Sequence, residues 1–225
     1  MKTITIDNLN IDIHDGNIGV AVSGGADSAL LLYILMKNIT APISIVSCGN
    51  GLTNNQEPVN ALKITNEVMK LTGKKNIYFT THWAENKQLN STFQKELLVD
   101  TLKLDVLYFG FTRSPPNGEI IEFDTQNVAA AGGVDSGKTH QTYWSKGEEI
   151  TSIFGPKAEG FKLPVAVASP FININKKEIA KLYKILDIEY LYSMTRSCES
   201  LTVLDAHCGE CWWCKERMWA FGKLV

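Results

Sequence analysis

From residue 3 to residue 13 apolar and polar positions alternate, with Ile4 and Ile6 before Asp7-Asn8 and Leu9, Ile11 and Ile13 after it, which predicts a short two-stranded ribbon. Ile18 to Val22 is a compact run of β-formers. It leads through Ser23-Gly24-Gly25-Ala26-Asp27-Ser28 into a segment, Ala29 to Met36, that is apolar on every side. Strand, glycine turn and buried helix open an α/β unit. The alternation continues with a second strand over Ile43 to Val46. Ala61, Ile64, Val68 and Leu71 then recur at helical spacing until Gly73 supplies a stop. Ile77 to Phe79 reads as a third strand, Phe93, Leu97, Leu98 and Leu102 as a helix, and Val106 to Phe111 as a fourth strand. Val165 to Ala168 is a further strand, and a helix from about Asn175 to Leu186 begins with Asn175 and Glu178 at N-cap and N3 positions. Strands alternating with helices predict a doubly wound, mainly parallel sheet covered on both faces.

Between Thr112 and Leu163 this regularity dissolves into Gly, Pro, Ser, Thr, Asp and Asn. A stretch so long is an active-site excursion with short strands of its own, or a lid.

The 225 residues suit one sizeable domain, alone or with a small appendage. Lys and Arg number 22 against 24 Asp and Glu, a formal charge of −2, which argues against a dedicated basic nucleic-acid surface or a polybasic membrane anchor. The longest apolar run, Ala29 to Met36, is too short to span a bilayer. The first residues alternate where a signal peptide would be continuously apolar, so the expected compartment is the cytoplasm, with no membrane partner.

A turn from buried strand to buried helix built on two glycines points backbone N–H groups into a concavity at the positive end of the helix dipole, which makes an anion site. Ser23 and Ser28 add hydroxyls. Asp27 adds a carboxylate that would repel phosphate unless it orients the loop or meets a magnesium ion. A rival lies at Gly132-Gly133-Val134-Asp135-Ser136-Gly137-Lys138-Thr139, which satisfies the literal Walker A pattern. The residues after it offer no apolar helical face, so an active-site lid and a plain surface turn stay open beside a true Walker loop.

Ser23-Gly24-Gly25-Ala26-Asp27-Ser28 resembles the Ser-Gly-Gly-x-Asp-Ser signature of the PP-loop, or N-type, ATP pyrophosphatases. The resemblance implies a Rossmann-like fold of the adenine nucleotide alpha hydrolase type. It also implies ATP cleaved between its α and β phosphates, with AMP passed to a substrate oxygen. Asparagine, GMP and NAD synthetases, tRNA thiolases and lysidine synthetase share the signature, so it specifies the half-reaction better than the substrate.

Of five cysteines, Cys198, Cys208, Cys211 and Cys214 crowd the C-terminal end of the chain. Four thiolates close a tetrahedral zinc site, the leading reading. An iron–sulfur cluster and unliganded thiols are the alternatives, and His207 is a substitute ligand. Ser197-Cys198 followed by Cys208-Gly209-x-Cys211-x-x-Cys214-x-x-Arg217 resembles the zinc motif of the 7-cyano-7-deazaguanine synthase (QueC) family. Ser169-Pro170-Phe171 with Asn175-Lys176-Lys177-Glu178-Ile179 resembles that family's segment before its last helix. The resemblance spans residues 18 to 111 and 165 to 221.

What the resemblance implies, position by position, is that Ser23, Gly24, Gly25, Ala26, Asp27 and Ser28 bind ATP, with Asp27 and Lys176 catalytic. Cys198, Cys208, Cys211 and Cys214 would hold Zn2+, and Mg2+ would accompany ATP. Residues 1–194 would form the pyrophosphatase domain, with a ribbon at 1–14 and the excursion at 112–163, and residues 195–225 a zinc-binding segment. The family converts 7-carboxy-7-deazaguanine and ammonia to 7-cyano-7-deazaguanine through an adenylate and an amide, and favours a homodimer. The chain departs from it in two places. Ser47-Cys48-Gly49-Asn50-Gly51 stands for an aromatic-Gly-Gln-Arg-His stretch, and Thr112-Arg113-Ser114-Pro115-Pro116-Asn117 for an Asp-Tyr-Ser-Gly-Tyr-Pro-Asp type loop.

Cys48, His82 and Arg113 are the candidate substrate residues. Cys48 reads as a persulfide carrier or a half-buried thiol, His82 as a ligand contact or an ordinary hydrogen-bonded histidine, and Arg113 as an anion partner or a surface arginine. Trp212, Trp213 and Trp219 stack on a nucleobase, pack around the metal or form a dimer contact. Lys176 itself has the plainer reading of a solvated lysine in a first helical turn. Besides the QueC-type ligase, three functions stay open: a diverged adenylating enzyme acting on a protein or a tRNA base, a tRNA thiolase, and a nucleotide sensor without catalysis.

Overall fold

A computed structural model describes residues 1–50, 56–84, 95–116, 119–120, 141–150, 162–198 and 206–224. β1 (Lys2–Ile6) and β2 (Leu9–Ile13) form the expected antiparallel ribbon, with Ile4 opposite Ile11. The chain then runs through β3 (Ile18–Ala21), α1 (Ala26–Asn38), β4 (Ile43–Asn50), α2 (Glu57–Thr72) and β5 (Ile77–Ala84). A π-helical segment, Lys95–Thr101, precedes β6 (Val106–Tyr108), β7 (Tyr143–Trp144) and β8 (Ala166–Ala168). Three helices close the chain: α3 (Lys176–Ile185), α4 (Glu189–Ser193) and α5 (Trp212–Phe221).

The strands of the second sheet lie in the order β5-β4-β3-β6-β8-β7. All pair in parallel except β7, which runs antiparallel to β8. Strand order reverses at β3, which lies between β4 and β6, and such a reversal leaves a crevice at the carboxyl ends of the strands. Ser23 stands at that point.

Period-two alternation distributes the apolar side chains between two cores. Val20, Ile43, Ile45, Val106, Tyr108 and Ala168 join the core with α1 and α2, whereas Val46, Leu107 and Val167 join Leu97, Leu98, Trp144, Ile150 and Leu163. α1 has no polar face because the sheet, α2 and α3 all lie against it, and every residue from Ser28 to Met36 is buried. α3 starts at a full capping box between Asn175 and Glu178, as its sequence predicts.

Several boundaries differ from the apolar pattern. β4 and β5 continue past their apolar runs, with Ser47 paired to Thr81 and Cys48 to His82, because the backbone ladder carries polar residues as readily as apolar ones. Cys48 and His82 therefore lie inside strands rather than after them. The segment around Leu97 is π-helical, with Leu102 N–H donating to the Leu97 carbonyl five residues back. β6 stops at Tyr108, and Gly110 beyond it crosses the first turn of α1 so closely that a Cβ would stand 2.9 Å from the Asp27 carbonyl carbon. The excursion contributes β7, while Gly132–Thr139 lies outside the described residues. Among the described residues no helix is long and apolar enough to cross a membrane.

Two buried polar side chains fasten the scaffold. Lys74 donates to the carbonyls of Ile39 and Ala41, both at 2.7 Å, closing the chain between α1 and β4. Tyr108 donates to the Asp12 carbonyl at 2.8 Å and accepts from the His14 N–H at 3.0 Å, which fixes the ribbon to the sheet. Tyr108→Phe is expected to lower stability to urea by about 1–2 kcal/mol with the core packing intact, and an unchanged unfolding midpoint would remove this anchor.

Candidate active site and metal centre

The loop between β3 and α1 leaves the sheet after Val22, whose N–H still donates to the Val46 carbonyl at 2.9 Å. Gly24 has φ of +84°, and a Cβ there would stand 2.5 Å from Asn60 Cβ on α2, so handedness and space both require glycine. Gly25 is the N-cap of α1, and it provides no capping side chain. Ser28 Oγ turns back instead, donating to the Gly25 carbonyl at 3.1 Å and lying 3.2 Å from Ser23 Oγ. The first-turn N–H groups of α1 are thus offered to an anion at the positive end of the dipole.

Distant parts of the chain hold the loop in shape. Arg196 N–H donates to the Gly24 carbonyl at 2.9 Å, and the buried Tyr183 hydroxyl donates to the Ala26 carbonyl at 2.8 Å. Gly110 covers the Asp27 backbone from the end of β6.

Above the loop a buried ammonium meets two carboxylates. Lys176 Nζ lies 2.7 Å from Asp27 Oδ2 and 3.1 Å from Glu216 Oε2, with only 7% of the lysine side chain and 4% of the glutamate exposed. Burial opposes the charge on Lys176, but Asp27 and Glu216 outweigh it and raise the lysine above its ordinary value, so the ammonium persists at any working pH. Trp213 stands beside it, ring centroid 5.8 Å from Nζ. The plainer reading of Lys176 as a solvated lysine is therefore wrong, because α5 covers it. Asp27 Oδ1 is buried and has no hydrogen-bond partner among the described residues.

Arg217, the neighbour of Glu216, is itself buried. It donates to Thr195 Oγ1 at 2.9 Å and the Tyr192 carbonyl at 2.8 Å, and its guanidinium carbon lies 3.8 Å from the Tyr192 ring centroid.

The four C-terminal cysteines converge, with their Sγ atoms all within 4.8 Å of one another. Cys208 and Cys214 Sγ are 3.8 Å apart. A tetrahedron with Zn–S bonds of about 2.3 Å has edges of about 3.8 Å, so the thiols fit zinc. Cys211 N–H points at Cys208 Sγ at 3.4 Å. Burial opposes ionisation of Cys208, but the backbone N–H groups of Cys211 and Glu210 outweigh it and bring the thiol down to about 6. His207 Nδ1 lies 3.8 Å from Cys214 Sγ, beside the cluster.

The other sequence candidates lie around the crevice. Cys48 and His82 are cross-strand partners near the carboxyl ends of β4 and β5. Burial, aided by Glu57, pushes the Cys48 thiol up to about 11, and burial lowers His82 below the ordinary imidazole value. Arg113 bridges Asn175, the residue before Lys176, and donates to Asn173 Oδ1 at 3.4 Å. Trp212 is buried, and Trp219 donates to Glu119 at 2.8 Å while its ring receives Lys177. Sequence reasoning missed Glu216, Tyr183 and α5 itself. A faint signal for Glu216 exists, since a charged run, Lys215-Glu216-Arg217, directly follows the last metal-type cysteine among tryptophans.

Residues 157–225 match the family model of queuosine biosynthesis protein QueC. This stretch of the chain is QueC-like. It contains Lys176, Glu216 and all four clustered cysteines, and it begins well after the Ser23–Ser28 loop. No curated protein matches the chain significantly. Among solved structures, an NH3-dependent NAD synthetase from Campylobacter jejuni subsp. jejuni NCTC 11168, in complex with the nitrate ion, matches with 16% identity and a TM-score of 0.40, over 79% of this chain and 67% of its own.

Gly24→Ala is expected to abolish anion binding at the loop and to cost about 1–3 kcal/mol of stability, measurable by calorimetry with pyrophosphate and by thermal melting. Cys208→Ser should lower the metal content from about one zinc per chain towards zero and reduce the melting temperature, with elemental analysis as the check. With its thiol pushed up to about 11, Cys48 should be about one part in a thousand ionised at pH 8. Iodoacetamide labelling of Cys48 in the zinc-loaded protein should consequently rise about tenfold per pH unit between pH 8 and pH 10, whereas a plateau near pH 8 would contradict it.

Proposed function

We propose that the chain is an ATP-dependent ligase. It adenylates a carboxylic acid, releases pyrophosphate, and passes the acyl group to ammonia, with 7-carboxy-7-deazaguanine as the acid and 7-cyano-7-deazaguanine as the product. The observation that carries the reading is the uncapped, glycine-built N-terminus of α1 at the reversal point of the sheet, with the Asp27–Lys176 pair directly on it. The QueC match over residues 157–225 supports the choice of acid.

In the first step a carboxylate oxygen attacks the α phosphorus, the bond from that phosphorus to the bridging oxygen breaks, and pyrophosphate leaves with its electrons. The N–H groups at the start of α1 and the hydroxyls of Ser23 and Ser28 stabilise the charge growing on pyrophosphate, and Lys176 contributes a fixed positive charge next to the loop. Ammonia then attacks the acyl carbon, AMP departs, and a proton is released to give the amide. Activation of the amide oxygen by a second ATP, followed by loss of AMP and a proton, gives the nitrile. Asp27, through its unpartnered Oδ1, is the residue that would hold magnesium, which when bound neutralises phosphate charge. Cys198, Cys208, Cys211 and Cys214 would hold zinc in a closed structural site, away from the reacting atoms.

A second reading keeps the adenylate and changes the acceptor to an amine of a protein or a nucleic acid. It is favoured by Ser47–Gly51 and Thr112–Asn117, which depart from the QueC pattern at the carboxyl ends of β4 and β6. The raised Cys48 thiol speaks against a persulfide carrier.

Incubation with ATP, magnesium, ammonia and 7-carboxy-7-deazaguanine should yield pyrophosphate, AMP and a nitrile by mass spectrometry. Lys176→Met should lower pyrophosphate release by about a hundredfold or more. Pyrophosphate formed without any change in the acid's mass would sink the choice of acid, and no pyrophosphate with any acid would sink the ligase.

A further inference from the structure

Lys176 is served by more carboxylate than a single ammonium needs. Asp27 reaches it from the first turn of α1 and Glu216 from α5, so two carboxyl groups face one ammonium; burial raises Glu216 above the ordinary carboxylate value, and Lys176 beside it opposes that rise. Asp27 also presents its second oxygen, Oδ1, buried and without a hydrogen-bond partner among the described residues, at the edge of the Ser23–Ser28 loop. If Asp27 were the sole counter-charge, engagement of that carboxylate by a divalent cation would set the cation against a buried, uncompensated ammonium, an expensive arrangement in a poorly solvated site.

We propose that Glu216 is a positioning residue for nucleotide binding: it holds Lys176 in place and in charge balance, so that Asp27 is shared between the lysine and the cation that arrives with ATP. The inference rests on the nucleotide reading above and adds to it a contribution from the helix that begins at the thiolate cluster. Cys214 and Glu216 lie on the same helix, which makes the cluster the support that places this carboxylate. With an uncharged amide at position 216, Lys176 has only Asp27 to neutralise it, and a cation at Asp27 is then repelled by the ammonium. ATP without a cation feels the opposite effect, because loss of the Glu216 charge removes a repulsion from the phosphates.

Calorimetric titration of the zinc-loaded chain with α,β-methylene ATP, in magnesium and separately in EDTA, tests the inference without turnover. Wild type should bind more tightly with magnesium. Glu216→Gln should weaken binding in magnesium by about tenfold or more, with affinity in EDTA unchanged or improved, and Glu216→Asp, which keeps the charge, should recover most of the magnesium-dependent gain. Zinc content, read by elemental analysis, should equal wild type in both variants. Equal weakening of Glu216→Gln in magnesium and EDTA, or no weakening at all, would overturn the role of Glu216 while leaving nucleotide binding standing. Should Glu216→Gln fail to fold, the aspartate variant decides: retention of the magnesium gain supports the inference, and equal loss in both buffers overturns it. A wild-type chain that binds the analogue in neither buffer would overturn the nucleotide reading and this inference with it.

Discussion

The arrangement on which everything else depends is a lysine ammonium kept out of water by the protein and kept charged by two acids. Removing both acids from such a group would leave an uncompensated charge, typically at a cost of about 3–5 kcal/mol, so the cluster constrains the fold far more than it stabilises it. Its members stand at positions 27, 176 and 216. The cluster forms only when the first helix, the helix after the last parallel strand and the C-terminal helix have all docked.

That requirement gives the thiolate cluster a purpose. α5 is short and has almost no amphipathic face, and it begins between two of the clustered cysteines. Such a helix gains little from propensity or from a sided apolar surface. A metal held by four thiolates would supply the free energy that burial cannot, and with it the placement of Glu216 on Lys176 and of Arg217 against the Tyr192 ring, on which Phe221 stacks.

Much of this was legible in the order of residues alone. The β-branched run before Ser23, the two glycines and the apolar segment after them identify a strand, a glycine turn and a buried helix, and the cysteine spacing identifies the cluster. The capping pair Asn175 and Glu178 marks the start of α3. Less legible were features set by partners distant in sequence. β4 and β5 extend because each offers the other a backbone ladder, which no local apolar pattern records. α5 is stabilised by thiolates and a buried ion cluster, so its periodicity is weak and its charged residues look solvent-bound. Lys176 read equally well as an ordinary surface lysine, and only the arrival of Glu216 from α5 separates the two readings. The Walker-like Gly132–Thr139 stretch lies outside the described residues.

The antiparallel strand β7 has a quieter consequence. Parallel sheets expose rows of unmatched amides along their outermost strand, an invitation to foreign chains. Here the β8 border is sealed by two residues, Tyr143 and Trp144, with Trp144 turned inward and His14 stacked on Tyr143 at 4.4 Å between centroids. A strip so brief offers a newcomer scarcely one register in which to zip.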